Sequence, residues 1–213
     1  MPGEQETADL IRQAQGRAMA VEVDVTDPHS VEQMVDAAVR EFGRLDILVN
    51  NAAVGNRDSL LNVMEAEFDR VMAINVKGPL LCARASVPHM LATGGGSIIN
   101  IVSTSSEMAR PNLTVYGTSK GALKMLTKGM AVEWAPYNIR VNGISAGPIS
   151  TLAARGIPGF TEILHHYRQK APLRRNIEAS EVGDAAAFLL STYARGITGE
   201  ILYVDAGYHI SGV

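Results

Sequence analysis

Short runs of apolar, mostly β-branched residues alternate along this chain with longer stretches whose apolar positions recur every three to four residues. That alternation is the signature of a parallel sheet with crossover helices. The apolar runs predict strands over 18–23, 45–49, 97–102, 140–144 and 201–204. Each is apolar through most of its length, as strands covered on both faces must be. Helical spacing fills the gaps. A helix over 6–15 runs out at Gly16, and one over 30–42 follows Asp27-Pro28 and stops before Gly43, which matches cap and stop chemistry. Further helices are expected over 59–74, over 79–91 up to Gly94-Gly95-Gly96, over 114–134 before Pro136, and over 178–191. The architecture expected is one α/β domain, a mostly parallel five-stranded sheet flanked by helices. The long irregular stretch from Ala146 to Arg175, with a short helical segment at 161–170, is read as a substrate lid over about 149–175.

Composition narrows the class. The 213 residues are 46% hydrophobic and 19% charged, and 19 Lys+Arg against 22 Asp+Glu give a formal charge of −3. No basic surplus exists to neutralise nucleic-acid phosphates, so nucleic acid is not an expected partner. One cysteine, Cys82, forms no intrachain disulfide, and no Cys/His cluster has zinc-ligand spacing, so no metal site is expected. No run of about 18 apolar residues could span a bilayer, and MPGEQETADL has neither a basic nor an apolar region to act as a signal. The expected location is the cytoplasm, away from membranes.

Candidate chemistry clusters in the middle of the chain. Tyr116 and Lys120 stand four residues apart near the start of a predicted helix, so both project from one face. A lysine charge beside a phenol favours the phenolate, lowering its pKa toward working pH and making it a proton carrier for a substrate oxygen. Ser103 lies thirteen residues before Tyr116, where strand 97–102 ends. Ligands of open parallel sheets bind beyond the carboxyl ends of strands, so Ser103 is expected in the same pocket. Asn50-Asn51-Ala52-Ala53 follows strand 45–49, and its small residues let a flat group approach the backbone.

These residues resemble the short-chain dehydrogenase/reductase family over nearly the whole chain. Asp24-Val25 resembles the family's adenine-contacting acidic position. Asn50-Asn51-Ala52-Ala53 resembles its Asn-Asn-Ala-Gly turn, with Ala53 in place of glycine, and Asn75 matches the tetrad asparagine. Ser103, Tyr116 and Lys120 match the other three catalytic positions. Gly147, Ile149 and Thr151 fall at the Pro-Gly motif and nicotinamide contacts, with Ala146 in place of the proline. The resemblance implies a Rossmann-like fold, NAD or NADP as cofactor, and hydride transfer between nicotinamide and a carbonyl or hydroxyl substrate, with 3-oxoacyl thioesters among the candidates. Tyr116 would be the acid/base and Ser103 would polarise the carbonyl. Lys120 would bind ribose and bias the Tyr116 pKa, and Asn75 would hold a relay water. It also implies a homodimer or homotetramer assembled through helices 79–91 and 114–134 and the last strand.

The family opens with a strand, a Gly-rich turn, a helix and a second strand that together hold the pyrophosphate and select NAD or NADP. The sequence shows no such segment, so the expectation is an N-terminally truncated, partial domain over 1–213 in which strand 18–23 pairs directly with 45–49 or leaves an edge open. From Val141 onward the chain is similar to bacterial enoyl-acyl-carrier-protein reductases, through Ile144-Ser-Ala-Gly-Pro-Ile-Ser-Thr, Ala171-Pro-Leu-Arg-Arg175 and Gly196-Ile-Thr-Gly-Glu. That subfamily carries its tyrosine seven residues before the lysine, where this chain has Leu113, and its second tyrosine would fall at Ser103. Carbonyl–alcohol chemistry is therefore ranked first. Enoyl reduction and a non-catalytic truncated form are the alternatives.

Several residues carry plainer readings. Asn50 also reads as an amide tying strand ends together, and Asp24 as a strand-end turn residue before Pro28. His165 and His166 diverge by about 100° on a helix and cannot chelate one ion. Arg168, Lys170, Arg174 and Arg175 read as a solvated face. Met64, Met72, Met90, Met125 and Met130 read as core filler.

Overall fold

The structure, a computed structural model, describes residues 2–150 and 159–211. Helix α1 (Pro2–Gln13) leads through an extended stretch to α2 (Pro28–Phe42), and strand β1 (Ile47–Asn50) follows. Next come α3 (Glu65–Met72), α4 (Gly78–Ala92), β2 (Gly96–Ile101), α5 (Thr114–Trp134) and β3 (Ile139–Ala146). Helices α6 (Phe160–Lys170) and α7 (Ala179–Leu190) precede β4 (Ile201–Val204). The four strands form one parallel sheet in the order β1-β2-β3-β4, with Asn50 opposite Asn100 and Ile101 opposite Ile144.

Alternation along the strands divides the core into two layers. On one face Ile98 of β2 and Ile139 and Val141 of β3 pack under Ala83 and Met90 of α4 and Met130 and Ala131 of α5. On the other, Ile99 and Ile144 pack under Leu189 of α7 with Ala194. Burying each such aliphatic side chain stabilises the fold by about 1.5–3 kcal/mol, and the period-2 placement of Ile98 and Ile99 serves both layers at once. Local chemistry sets the ends. Asp27 accepts hydrogen bonds from the backbone N–H groups of His29 and Ser30, Pro28 opens α2, and Gly43 closes it in the left-handed region at φ 83°. Gly95, at φ 136°, lies where a Cβ would meet the Asn138 carbonyl oxygen at 2.4 Å, so only glycine carries the chain into β2.

Three expectations are corrected. Residues 18–23 do not form a strand and do not pair with β1, so the described sheet has four strands rather than five. Their exposure alternates as in a strand, but two extended segments form a ladder only at about 4.8 Å spacing. An apolar cleft of about 190 Å³ instead separates Val23 and Val25 from Leu48 and Val49. The outer edge of β1 has no partner among the described residues, and Ile47 and Val49 are 46% and 43% exposed. The expected helix over 59–74 begins only at Glu65, and after Met72 it widens into a π-turn over Ala73–Lys77. Of the methionines, Met90 and Met130 are core residues, whereas Met64 and Met125 are 72% and 69% exposed.

Candidate active site

The strand ends expected to carry chemistry converge at the carboxyl edge of the sheet. Ser103 follows β2 in extended backbone and caps the 3₁₀ turn Thr104–Ser106, its Oγ accepting from the Ser105 N–H at 3.2 Å. Tyr116 and Lys120 both lie in the first two turns of α5. Ser103 lies close enough to the Tyr116 phenol to draw its pKa down, and the Lys120 Nζ sits 5.7 Å from the centre of the Tyr116 ring. Lys120 is only 2% exposed, and its Nζ donates to the Ile101 carbonyl at the end of β2 at 2.8 Å. Helical i,i+4 spacing thus brings phenol and ammonium together, and the strand end brings the serine.

The electrostatics differ from the expectation. Burial pushes the Tyr116 phenol above its ordinary value, with Ser103 pulling partly the other way. Burial also drives the Lys120 ammonium down to about 8. Desolvation, which disfavours both charged forms, therefore outweighs the attraction that the sequence suggested.

Asn75 occupies the π-turn and is fully buried. Its Oδ1 accepts from the Val54 N–H and its Nδ2 donates to the Val54 carbonyl, both at 2.9 Å, while Nδ2 also donates to Ser119 Oγ at 3.0 Å. Ser119 in turn donates to the Tyr116 carbonyl at 2.7 Å. The amide therefore clamps the 51–54 turn to the first turn of α5. A π-turn is a frequent device at functional sites, and here it places Asn75 between the two. Asn50 adopts the plainer of its readings: its Nδ2 donates to Asn100 Oδ1 at 2.9 Å, and Asn100 Nδ2 donates to Thr127 Oγ1 at 2.9 Å, tying β1 to β2 and to α5.

Val25, Asn51 and Ala52 line the apolar cleft beside β1, and Ala53 continues the exposed turn. Asp24 is exposed and takes its turn reading, its Oδ1 accepting from the N–H and hydroxyl of Thr26 at 2.8 and 2.7 Å. Gly147 donates its N–H to the Val204 carbonyl, and a Cβ there would meet Tyr167 Cε1 at 3.1 Å. Ile149 packs on the Tyr167–Tyr208 cluster, while Thr151 lies outside the described residues. The donor set fits a dinucleotide: Lys120 has three N–H donors, of which Ile101 takes one, and the exposed small residues at 51–53 admit a flat group beside the cleft.

Sequence reasoning missed Ser119, Thr127 and Thr104. Asn100 and Thr127 did carry a signal, since a polar residue inside an otherwise apolar run needs a partner. Thr104, which accepts from the Tyr167 hydroxyl at 3.0 Å, carried none, because its partner is 63 residues away.

Comparisons with known proteins agree with this geometry. The family model described as enoyl-(acyl carrier protein) reductase matches residues 2–209. An enoyl-acyl-carrier-protein reductase (NADH) of Synechocystis sp. is 39% identical over 194 residues, covering 89% of this chain and 74% of that protein. A glucose 1-dehydrogenase of Bacillus subtilis is 35% identical over 207 residues, covering 96% of this chain and 80% of that protein. Among solved structures, a 3-ketoacyl-(acyl-carrier-protein) reductase of Brucella melitensis complexed with NADH superposes with a TM-score of 0.88 at 35% identity, over 98% of this chain and 84% of that one. The parallel sheet, the serine–tyrosine–lysine cluster at its carboxyl edge and these matches lead to one conclusion: the chain belongs to the short-chain dehydrogenase/reductase family.

Proposed function

We propose that the protein is an NAD- or NADP-dependent oxidoreductase acting on a carbonyl or hydroxyl group of a small-molecule substrate, with 3-oxoacyl thioesters among the candidates. The observation that carries this reading is the convergence of Ser103, Tyr116 and the buried Lys120 at the carboxyl edge of the sheet. Bound nicotinamide supplies the hydride in reduction and accepts it in oxidation. Tyr116, protonated at neutral pH as phenols ordinarily are and held more firmly so by burial, gives its phenolic proton to the oxygen that develops negative charge. Ser103 donates a hydrogen bond to that oxygen, and the Lys120 ammonium stabilises the phenolate left behind. Lys120 would also offer its remaining N–H donors to the ribose, and Val25 with Asn51–Ala53 would hold the adenine half and Gly147 with Ile149 the nicotinamide half. Asn75 acts as a positioning residue. Both its donors are engaged, so a relay water would meet only its Oδ1.

The Synechocystis reductase (NADH) and the Brucella melitensis reductase complexed with NADH support the cofactor class. The exposed Met125 and Val132 on α5 support assembly into a homodimer or homotetramer. Among the described residues no helix is long and apolar enough to cross a membrane, and we place the protein in the cytoplasm.

The deciding experiment titrates the protein with NADH and NADPH beside Lys120→Ala, followed by ketone turnover with Tyr116→Phe. Saturable binding weakened by the first variant and turnover abolished by the second are expected. Absence of any nucleotide binding would overturn this reading in favour of a non-catalytic chain. The family-model description and the Synechocystis relative favour a second reading, enoyl-thioester reduction. Leu113, at the position of the enoyl-type tyrosine, opposes this reading, and crotonyl-thioester turnover that survives Tyr116→Phe would favour it.

A further inference from the structure

Arg110 lies between Ser103 and Tyr116 in sequence and enters an aromatic cluster at the carboxyl edge of the sheet. Its guanidinium carbon sits 5.4 Å from the ring centre of Tyr167 and 5.3 Å from that of Tyr208. These two buried rings stack on each other with centroids 3.7 Å apart. The surroundings are apolar, with Met108, Ala146 and Ile149 packed on the same rings. Against the burial that raises the Tyr167 pKa, the guanidinium acts on the hydroxyl and pulls that value down, yet its buried Nη2 has no hydrogen-bond partner among the described residues. A guanidinium stays charged at any ordinary pH, so a buried N–H of this group without an acceptor keeps its full desolvation cost.

Neighbouring acids do not relieve it. Asp205, the buried carboxylate of the cluster, is occupied by the N–H groups of Gly207 and His209 and by the His209 ring at 2.9 Å. Glu107 pairs with Lys124 and accepts from the Tyr203 hydroxyl. His166, edge-on to Tyr208, brings no negative charge. The cluster also adjoins the reaction centre. Tyr167 donates to Thr104, the residue after Ser103, and the Arg110 carbonyl accepts at 3.1 Å from the N–H of Leu113, the N-cap of the helix that carries Tyr116.

We propose that Arg110 recognises a carboxylate on the substrate, so that the enzyme works on keto acids or hydroxy acids rather than on neutral ketones or thioesters. The inference rests on the oxidoreductase reading given above and narrows its substrate class. Contact with the tyrosine rings restrains the guanidinium, so that its Nη2 is held as an oriented, charged donor of the kind that pairs with a carboxylate oxygen. The unpartnered Nη2 is the donor that the carboxylate would satisfy.

The test compares reduction of pyruvate, acetoacetate, levulinate and 5-oxohexanoate with that of their methyl esters, in the wild type, Arg110→Gln and Arg110→Lys. At least one acid is expected to exceed its ester about tenfold or more in kcat/KM, the order expected for a charged hydrogen bond. Arg110→Gln should erase that preference through KM with kcat little changed, and Arg110→Lys should restore part of it. Equal use of acids and esters, or a preference that persists in Arg110→Gln, would overturn the proposal. A second readout needs no turnover: levulinate should raise the thermal unfolding midpoint of the wild type and not of Arg110→Gln. That shift without turnover of any ketone would leave the anion site standing and refute the oxidoreductase reading. Loss of both shift and turnover would refute the anion site as well.

Discussion

Replacing Lys120 by methionine should stabilise the protein at neutral pH, although it removes a residue of the proposed catalytic centre. The ammonium is buried, and its pKa falls from 10.5 in the unfolded chain to about 8 in the fold. Between those values the unfolded chain binds more protons than the folded one, so stability rises with pH across the window. Each unit is worth about 1.4 kcal/mol. Below pH 8 the charged form therefore costs the fold about 3 kcal/mol, a cost that vanishes as pH passes 10. Methionine fills a similar volume without the charge and forfeits one hydrogen bond to the Ile101 carbonyl, worth about 1 kcal/mol net. The expected result is a variant about 2 kcal/mol more stable than wild type at pH 7, its advantage shrinking steadily between pH 8 and 10. Urea unfolding of both proteins at half-unit intervals of pH measures it. Taking the difference cancels the burial of the Cys82 thiol and of the Tyr167 phenol, both of which are pushed up and act in the opposite direction at high pH. A difference that stays flat from pH 7 to 10 would refute the desolvation argument.

Other substitutions probe the scaffold. Asn75→Ala removes three hydrogen bonds in a fully buried site and strands the Val54 backbone groups, so denaturant unfolding should show a loss of about 3–5 kcal/mol, and a loss under 1 would contradict the clamp. Gly95→Ala must move the Asn138 carbonyl and hold alanine at φ 136°, so the thermal midpoint should drop by far more than for Gly43→Ala, where no atom lies within 4 Å. Asp27→Ala removes the cap of α2 and should cost about 1 kcal/mol in the same unfolding assay, with Asp27→Ser recovering most of it.

Much of the fold and site was legible because it is governed by neighbours in sequence. The cap and stop of α2 at Asp27, Pro28 and Gly43 are local chemistry, and α5 spans Thr114–Trp134 as its apolar spacing and Pro136 required. Helical geometry alone puts Tyr116 and Lys120 on one face, and the strand-end rule puts Ser103 beside them. Periodicity also marked 18–23 as a strand, but a strand exists only through a paired neighbour, and the cleft beside β1 denies it one. Burial was equally invisible. Spacing suggested that Lys120 would pull the Tyr116 pKa down, yet the depth of both groups beneath the carboxyl edge reverses that shift. Met90 and Met125 both sit on helices, but one faces the sheet and the other faces out. The sequence by itself determined the alternation of elements, their caps and the chemistry of the central cluster, since each depends on residues a few positions apart. Tertiary structure alone decided which edge of the sheet stays open, how far Tyr116 and Lys120 are desolvated, and the meeting of Arg110 with Tyr167 and Tyr208, because those depend on segments joined only when the chain closes on itself.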